Sequence, residues 1–160
     1  MIAISKQAPH FPSTKGMRFP VEVPTRGEVM AMLAKCSRRA PTGIRNRAML
    51  TVLYRCGLRI AELLALMPKD VDLTANTLTV LMGKGSKRRV LGLDDGAVAV
   101  LQLWLDRRKA LGFTGRHRLF TTLQGKPVSG TYVRRFLKRT AVKIDYQKRL
   151  HPHAFRHAFA

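Results

Sequence analysis

Apolar residues recur at helical spacing along most of the chain. In residues 44–56 they stand three or four positions apart, which places their side chains on one face of a helix. The same spacing predicts further helices at residues 26–36 and 59–66, after Asp94, after Ser129 and over the last ten residues. The first of these helices begins at a capping box of Thr25 and Glu28, in which a hydroxyl precedes a carboxylate by three positions.

The spacing changes after Val71, where β-branched residues become frequent. Residues 72–82 predict a strand, residues 83–87 a glycine-containing turn, and residues 88–93 a second strand with alternating character. These segments together predict an antiparallel hairpin. The whole pattern predicts an α+β fold, mainly α-helical with a small antiparallel β-sheet.

The first 24 residues differ from the rest, because they hold four of the eight prolines and few periodic apolar positions. We expect a Pro-rich N-terminal arm over residues 1–24 and one domain over residues 25–160, since domains commonly hold about 100–150 residues. The sequence has no run of about 18 apolar residues, so we expect no membrane-spanning helix and no membrane partner. Its two cysteines form neither a CxxC motif nor a disulfide framework, which predicts a reducing, cytoplasmic location.

Charge narrows the choice of partner. The chain has 30 Lys and Arg against nine Asp and Glu, for a formal net charge of +21, and residues 107–160 hold fourteen basic side chains against the single acid Asp145. Such one-sided charge favours a phosphate polymer, because neutralising phosphates releases condensed counterions. Charge alone separates neither DNA from RNA nor a passive binder from an enzyme. On the outer face of the helix after Ser129 we expect four contacts to a nucleic-acid backbone: Arg134, Arg135, Lys138 and Arg139.

Three short segments carry candidate chemistry, although each has an ordinary structural explanation. The sequence GLRIAELL at residues 57–64 places Arg59 three residues before Glu62, a spacing that also suits an ion pair on a helix surface. The sequence GKG at residues 83–85 places Lys84 in the predicted turn, where glycines also serve tight turns. The sequence HAFR at residues 153–156 places His153 and Arg156 at the start of the last helix.

In this order, the three segments together resemble the tyrosine recombinase family, the lambda-type integrases. The family's catalytic domain has an arginine in a G-L-R-x-x-E-L motif, a lysine in the following hairpin turn, and an H-x-x-R motif that opens a later helix. The resemblance covers residues 25–160 and implies double-stranded DNA as the partner. It implies site-specific recombination or integration of a mobile element as the activity, by a mechanism that uses no metal and no other cofactor.

The resemblance also implies a role for each matching residue. Arg59 and Arg156 bind the scissile phosphate, whose oxygens a planar guanidinium suits as charge develops in the transition state. His153 hydrogen-bonds the same phosphate, and Lys84 protonates the departing 5′ oxygen. Glu62 supports Arg59 without reacting. Basic residues that follow the hairpin lysine are expected to contact the DNA backbone beside the cleavage point: Lys87, Arg88 and Arg89.

The match ends before the family's nucleophile. Family members continue after H-x-x-R with a second histidine or tryptophan and then a catalytic tyrosine, whereas Tyr54, Tyr132 and Tyr146 all precede this motif. We therefore expect a partial catalytic domain, truncated before the tyrosine and without the family's preceding core-binding domain. We expect it to bind DNA but not to cleave or rejoin DNA alone. Self-association on DNA, which in the family uses an exchanged C-terminal tail, stays open.

Two other interpretations stay open from the sequence. His153 and His157 have the i,i+4 spacing of a helical zinc pair, with His151 nearby, but no neighbouring cysteine or carboxylate completes the set. Arginines on either side also oppose a cation, so we expect no metal site. A non-catalytic basic module that binds nucleic acid explains the charge equally well. Convergence of the four candidate catalytic residues on one phosphate would separate the enzyme from the passive binder.

Overall fold

The computed structural model describes residues 22–81, 88–148 and 150–159. Its helices, in chain order, are α1 (Arg26–Ala34), α2 (Pro41–Cys56), α3 (Ile60–Ala65), α4 (Asp95–Ala110), α5 (Gly130–Lys143) and α6 (Pro152–Phe159). A short 3-10 helix (Pro68–Asp70) leads into the strands β1 (Val71–Asp72), β2 (Thr77–Leu81) and β3 (Arg88–Gly92). The α+β prediction is confirmed, because helices dominate the described residues and the strands form one small antiparallel sheet.

Helix α2 lies at the centre of the core. It begins with Pro41, whose fixed φ suits the first turn of a helix, and it ends at Gly57, which takes a left-handed φ of 57°. Its side chains are buried along most of its length, and it packs against α1, α3, α4 and α6. The helices that carry the candidate site, α3 and α6, are therefore both fixed to the same central helix.

The sheet differs from the predicted hairpin. Strand β2 pairs antiparallel with both of its neighbours, and residues 73–76 form a tight turn inside the segment predicted as one strand. The turn forms because the Asp72 carboxylate accepts the backbone N–H groups of Thr74 and Ala75, while Asn76 takes a φ of 52°. The single strand predicted over residues 72–82 is therefore wrong, whereas the antiparallel pairing of β2 with β3 is confirmed.

Side-chain caps fix the starts of three helices. Thr25 and Glu28 form the predicted capping box of α1. The Asp94 carboxylate caps α4 and the Ser129 hydroxyl caps α5, each by accepting a backbone N–H from the residue three positions on. These local hydrogen bonds confirm the predicted starts.

None of the helices in the described ranges has the length and apolar character needed to cross a membrane.

Some predictions fall on residues outside the described ranges. Of the N-terminal arm, residues 22–24 are described and form no helix or strand, and residues 1–21 lie outside. The predicted turn at residues 83–87 lies outside as well, together with Lys84 and Lys87. The candidate site residues that the structure describes lie at the start of α3 and on β3, α5 and α6.

Candidate functional site

Arg59 stands at the boundary between a left-handed turn and a helix. Gly57 ends α2 with its positive φ, the next residue, Leu58, is fully buried, and Arg59 is the extended residue that precedes α3. Glu62, in the first turn of α3, accepts the Arg59 backbone N–H at 2.8 Å and so caps the helix. The Arg59 side chain is 48% exposed. This arrangement holds the Arg59 backbone firmly while leaving most of its guanidinium donors available.

The Glu62 carboxylate lies among three guanidinium groups. Its Oε1 accepts from Arg59 Nη1 at 3.1 Å and from Arg89 Nη1 at 3.3 Å, and its Oε2 accepts from Arg89 Nη2 at 2.9 Å. Arg156 Nη1 lies 3.9 Å from Oε2. One negative charge therefore faces three positive charges, and the cluster retains a net positive charge that attracts an anion.

Burial and hydrogen bonding act in opposite directions on Glu62. Only 8% of its side chain is exposed, and burial pushes the pKa of this carboxyl upward. The Arg59 backbone N–H and the Arg89 guanidinium outweigh burial and hold the pKa of Glu62 below its usual range. Glu62 is therefore ionised at neutral pH and acts as a fixed acceptor for the surrounding arginines.

Arg156 and His153 reach the cluster from α6, about 100 residues further along the chain. Ala154 is fully buried where α6 packs against α2, and Arg156 Nη1 donates to the Gly57 carbonyl at 2.9 Å. His153 is exposed and lines a cleft of about 250 Å³ together with Arg59. The structure thus brings three of the four predicted catalytic residues together, and the fourth lies outside the described residues.

Helix α5 adds a basic face beside this cleft. Most of its apolar residues are buried against the core, and its four predicted DNA-contacting residues are exposed: Arg134, Arg135, Lys138 and Arg139. Arg134 lines the same cleft as Arg59 and His153. Arg134 and Lys138 also line a neighbouring cleft of about 700 Å³, which His153 shares. Arg134 and His153 therefore connect the basic face of α5 to the cleft that Arg59 lines, next to the cluster of Glu62 with Arg59, Arg89 and Arg156 (the Glu62 cluster).

Arg88 and Arg89 are adjacent on β3 but have different surroundings. Arg88 is exposed, whereas Arg89 is half-buried and paired with Glu62. The sequence predicts DNA contacts for both residues and does not predict the Arg89–Glu62 pair. The alternation of side chains along a strand could have indicated this difference, because it places Arg88 and Arg89 on opposite faces of the sheet.

The three tyrosine side chains contact other parts of the fold. The Tyr132 hydroxyl is 2.6 Å from Arg45 Nη2 and also bonds Asn46, and the Arg45 guanidinium lies over the Tyr132 ring. Tyr54 lies beneath the guanidinium of the neighbouring residue on α2, and the Tyr146 hydroxyl is buried. Tyr132 is therefore held by hydrogen bonds, whereas Tyr54 packs against a guanidinium and the Tyr146 hydroxyl is shielded from solvent.

The structure covers only part of the three-histidine pattern. The side chains of His151 and His153 are described, whereas that of His157 is not. Within the described residues, no three His, Cys, Asp or Glu side chains lie close enough to one another to hold a metal ion. The described part of the site is therefore defined by its arginines.

Comparison with known proteins identifies the class. The model of the phage integrase family matches residues 23–160, and the chain therefore belongs to this family. The matched segment contains all three motifs of the sequence analysis, with the Glu62 cluster and α6. Recognition of the family from those motifs is confirmed.

Named relatives narrow the class to the tyrosine recombinases. Tyrosine recombinase XerD of Staphylococcus saprophyticus subsp. saprophyticus is 35% identical over 135 residues, which are 83% of this chain and 45% of that protein. Tyrosine recombinase XerC of Escherichia coli O127:H6 is 40% identical over 120 residues, 75% of this chain and 40% of that protein. The chain thus spans less than half the length of these relatives.

Solved structures share the fold. The crystal structure of XerA recombinase matches 95% of this chain and 50% of its own, with a TM-score of 0.76 and 27% identity. The XerH site-specific recombinase bound to its difH substrate, in a pre-cleavage complex, matches 89% of this chain and 42% of its own, with a TM-score of 0.72 and 25% identity. The fold of the described residues is therefore that of a tyrosine recombinase.

Proposed function

We propose that this chain forms part of a site-specific DNA recombinase and holds one phosphodiester of double-stranded DNA during strand cleavage and rejoining. The convergence of Arg59 and Arg156 beside one buried carboxylate, with His153 in the cleft that Arg59 lines, carries this proposal. The two arginines come from segments about 100 residues apart, so a local ion pair does not explain their meeting. The names of the XerC, XerD and XerH relatives support the same activity.

The proposed chemistry is transfer of a phosphoryl group to a tyrosine and back. The tyrosine oxygen attacks phosphorus, the bond to the 5′ oxygen breaks, and a 3′-phosphotyrosine forms. Arg59 and Arg156 stabilise the negative charge on the non-bridging oxygens, because guanidinium groups stay protonated and match their geometry. His153 hydrogen-bonds the phosphate and assists proton transfer, and Lys84 protonates the departing 5′ oxygen. The phosphotyrosine retains the energy of the broken bond, so rejoining requires no nucleotide.

The nucleophile in this proposal comes from outside the 160 residues. Tyr132 is committed to Arg45 and Asn46, and the hydroxyl of Tyr146 is buried. Arg59, Arg156 and His153 then supply phosphate binding, and a further segment supplies the tyrosine that attacks phosphorus. Because the proposed activity is on DNA, we expect the protein to lie with the chromosome, in the cytoplasm of a bacterial cell.

A test starts from DNA that this chain selects out of a randomised duplex library. The selected sequence is made as a nicked suicide substrate and incubated with the 160-residue chain, and with a version extended after Ala160 by a tyrosine-bearing segment from the XerC relative. We expect a covalent protein–DNA adduct only with the extended version. An adduct with the 160-residue chain alone would contradict the external nucleophile.

Arginine variants of the extended version test the phosphate site itself. Arg59→Ala should reduce adduct formation by about 100-fold or more, the usual cost of removing one donor to a developing oxyanion, and should change duplex affinity by less than about threefold. Arg55→Ala is the matched control, because it removes an exposed guanidinium of α2 that pairs with Asp94. Equal adduct formation by the Arg59 and Arg55 variants would contradict the proposed role of Arg59.

A non-catalytic module that binds nucleic acid is the second candidate function. The exposed basic face of α5 favours it, since four cations on one helix suffice for backbone binding. In that case the extended version should form no adduct, and Arg59→Ala and Arg135→Ala should weaken duplex binding to the same small extent. The adduct measurement therefore separates the two candidates.

A further inference from the structure

Arg89 occupies the Glu62 carboxylate more completely than any other described side chain. Its two terminal nitrogens bind the two carboxylate oxygens as a fork, at 3.3 Å and 2.9 Å. The Arg89 side chain is 24% exposed, against 48% for Arg59. On the sheet, Arg89 pairs with Val80 of β2, whose side chain is buried, so the strand holds the guanidinium in place. This geometry suits a residue that acts on Glu62 better than one that contacts DNA.

We propose that Arg89 is a positioning residue of the phosphate site, which keeps Glu62 occupied so that Arg59 and Arg156 present their remaining donors to the DNA phosphate. The inference rests on the proposed function, because it assumes that these two arginines bind phosphate. The sequence predicts that the basic residues of this strand contact the DNA backbone directly. For Arg89 alone, the positioning role replaces that prediction.

The hydrogen-bonding capacity of the carboxylate explains the arrangement. An ionised carboxylate offers about four acceptor positions. At Glu62 two are taken by Arg89, one by Arg59 Nη1 and one by the Arg59 backbone N–H. With these positions filled, Arg156 stays 3.9 Å away and donates to the Gly57 carbonyl instead. Arg156 thus keeps most of its five donors for a ligand.

Removal of Arg89 would free two acceptor positions on a buried charge. A buried carboxylate that loses a partner attracts the nearest donors, because unpaired buried charge is costly. The nearest guanidinium groups are those of Arg59 and Arg156, at 3.1 Å and 3.9 Å. Their closure onto Glu62 would use donors that the phosphate needs. Arg89 therefore affects phosphate binding through Glu62, without touching the phosphate.

A nuclear magnetic resonance titration of the 160-residue chain tests the contact directly. The probe is a 30-base-pair duplex, and the observed signals are the side-chain Nε–H resonances of Arg59, Arg89 and Arg156. We expect the Arg59 and Arg156 signals to shift on binding and the Arg89 signal to stay in place. A shift of the Arg89 signal as large as theirs would overturn the positioning role. Absence of any shift at Arg59 and Arg156 would overturn the proposed function, and this inference with it.

Variants in two backgrounds test whether Arg89 acts through Glu62. In the extended version, Arg89→Met should reduce adduct formation by about tenfold, and by less than twofold when Glu62→Gln is also present, because residues that share a partner are not additive. Arg88→Met is the matched control on the other face of β3, and its effect should be the same in both backgrounds. Arg89→Lys should restore only part of the adduct formation, since an ammonium cannot bind both oxygens as a fork.

Two results would contradict the coupling. Equal losses from Arg89→Met in both backgrounds would show that Arg89 does not act through Glu62. Full rescue by Arg89→Lys would show that charge alone matters at this position. Trp104, the single tryptophan, is fully buried with its indole N–H bonded to the Leu119 carbonyl, so its fluorescence verifies that each variant is folded.

Discussion

The arginines of the core differ from those of the Glu62 cluster in what their guanidinium groups bind. Arg45 and Arg108 are each only 3% exposed, and neither has an acidic partner among the described residues. Arg45 donates to the Thr121 carbonyl at 2.8 Å, and Arg108 donates to the Arg118 carbonyl at 2.7 Å. Burial lowers the pKa of both guanidinium groups. The hydrogen bonds that these two arginines make go to neutral groups of the fold, and Arg108 Nε is buried without a hydrogen-bond partner.

The arginines around Glu62 are held differently. Arg59 and Arg156 keep 48% and 34% of their side chains exposed, and each uses few of its donors on the protein. One carboxylate orients them without neutralising the group as a whole. A core arginine thus joins chain segments, whereas a site arginine is oriented and left available for a ligand. Exposure to solvent, rather than charge alone, distinguishes the two purposes.

The largest expected effect on stability is at Arg45. Arg45→Met should reduce the free energy of unfolding by about 3 kcal/mol, because it leaves the buried Thr121 carbonyl without this donor and removes the contact with the Tyr132 ring. Chemical denaturation followed by Trp104 fluorescence measures the loss. Tyr132→Phe is the control, since it keeps the ring and removes only the hydroxyl, and should cost about 1 kcal/mol. A loss below 1 kcal/mol for Arg45→Met would show that this arginine is not an anchor.

Local signals explain why the sequence predicts so much of this fold. Helix starts at Thr25, Asp94 and Ser129 depend on hydrogen bonds to residues three positions away, so the sequence alone reveals them. The turn at residues 73–76 was missed although it is also local, because the surrounding β-branched residues favour one continuous strand. There the Asp72 carboxylate outweighs strand propensity.

Contacts between distant segments explain what the sequence does not predict. The motifs place Arg59, Glu62 and Arg156 in the site, yet the pairing of Glu62 with Arg89 crosses 27 positions and depends on where the fold places β3 relative to α3. Arg45 and Tyr132 are 87 positions apart. In a chain with 30 basic residues, no local pattern separates an anchoring arginine from a phosphate-binding one.

A smaller effect, dependent on pH, is expected at Glu62. The pKa of its carboxyl is lowered in the folded state, so its stabilising contribution is complete above the ordinary value of 4.5 and is lost as the pH falls through the lowered folded value. Glu62→Gln should reduce the free energy of unfolding by about 1 kcal/mol at pH 6, and the difference from wild type should shrink below pH 4. Denaturation curves at several pH values measure it.

Glu28→Gln is the control for that pH dependence. The Thr25 backbone N–H lowers the pKa of Glu28 too, but this carboxyl lies at an exposed helix start and its basic partner, Lys148, is 3.6 Å away. The reduction in the free energy of unfolding caused by Glu28→Gln should disappear over the same pH range as that caused by Glu62→Gln, and it should be smaller. A difference between wild type and Glu62→Gln that stays constant from pH 6 to pH 3 would contradict a lowered pKa at Glu62.

The smallest effect is expected at Arg55, which belongs neither to the core anchors nor to the Glu62 cluster. Its guanidinium lies 2.7 Å from the Asp94 carboxylate, but the two side chains are 40% and 44% exposed, and water and salt weaken such pairs. Arg55→Met should change the free energy of unfolding by less than about 0.5 kcal/mol. Asp94→Asn should be equally mild, because asparagine still caps α4, whereas Asp94→Ala removes the cap and should cost about 1 kcal/mol. A loss above 1 kcal/mol for Arg55→Met would mean that a short ion pair stabilises this protein even at its surface. An exposed arginine would then also serve the fold, and exposure would not by itself identify a functional arginine.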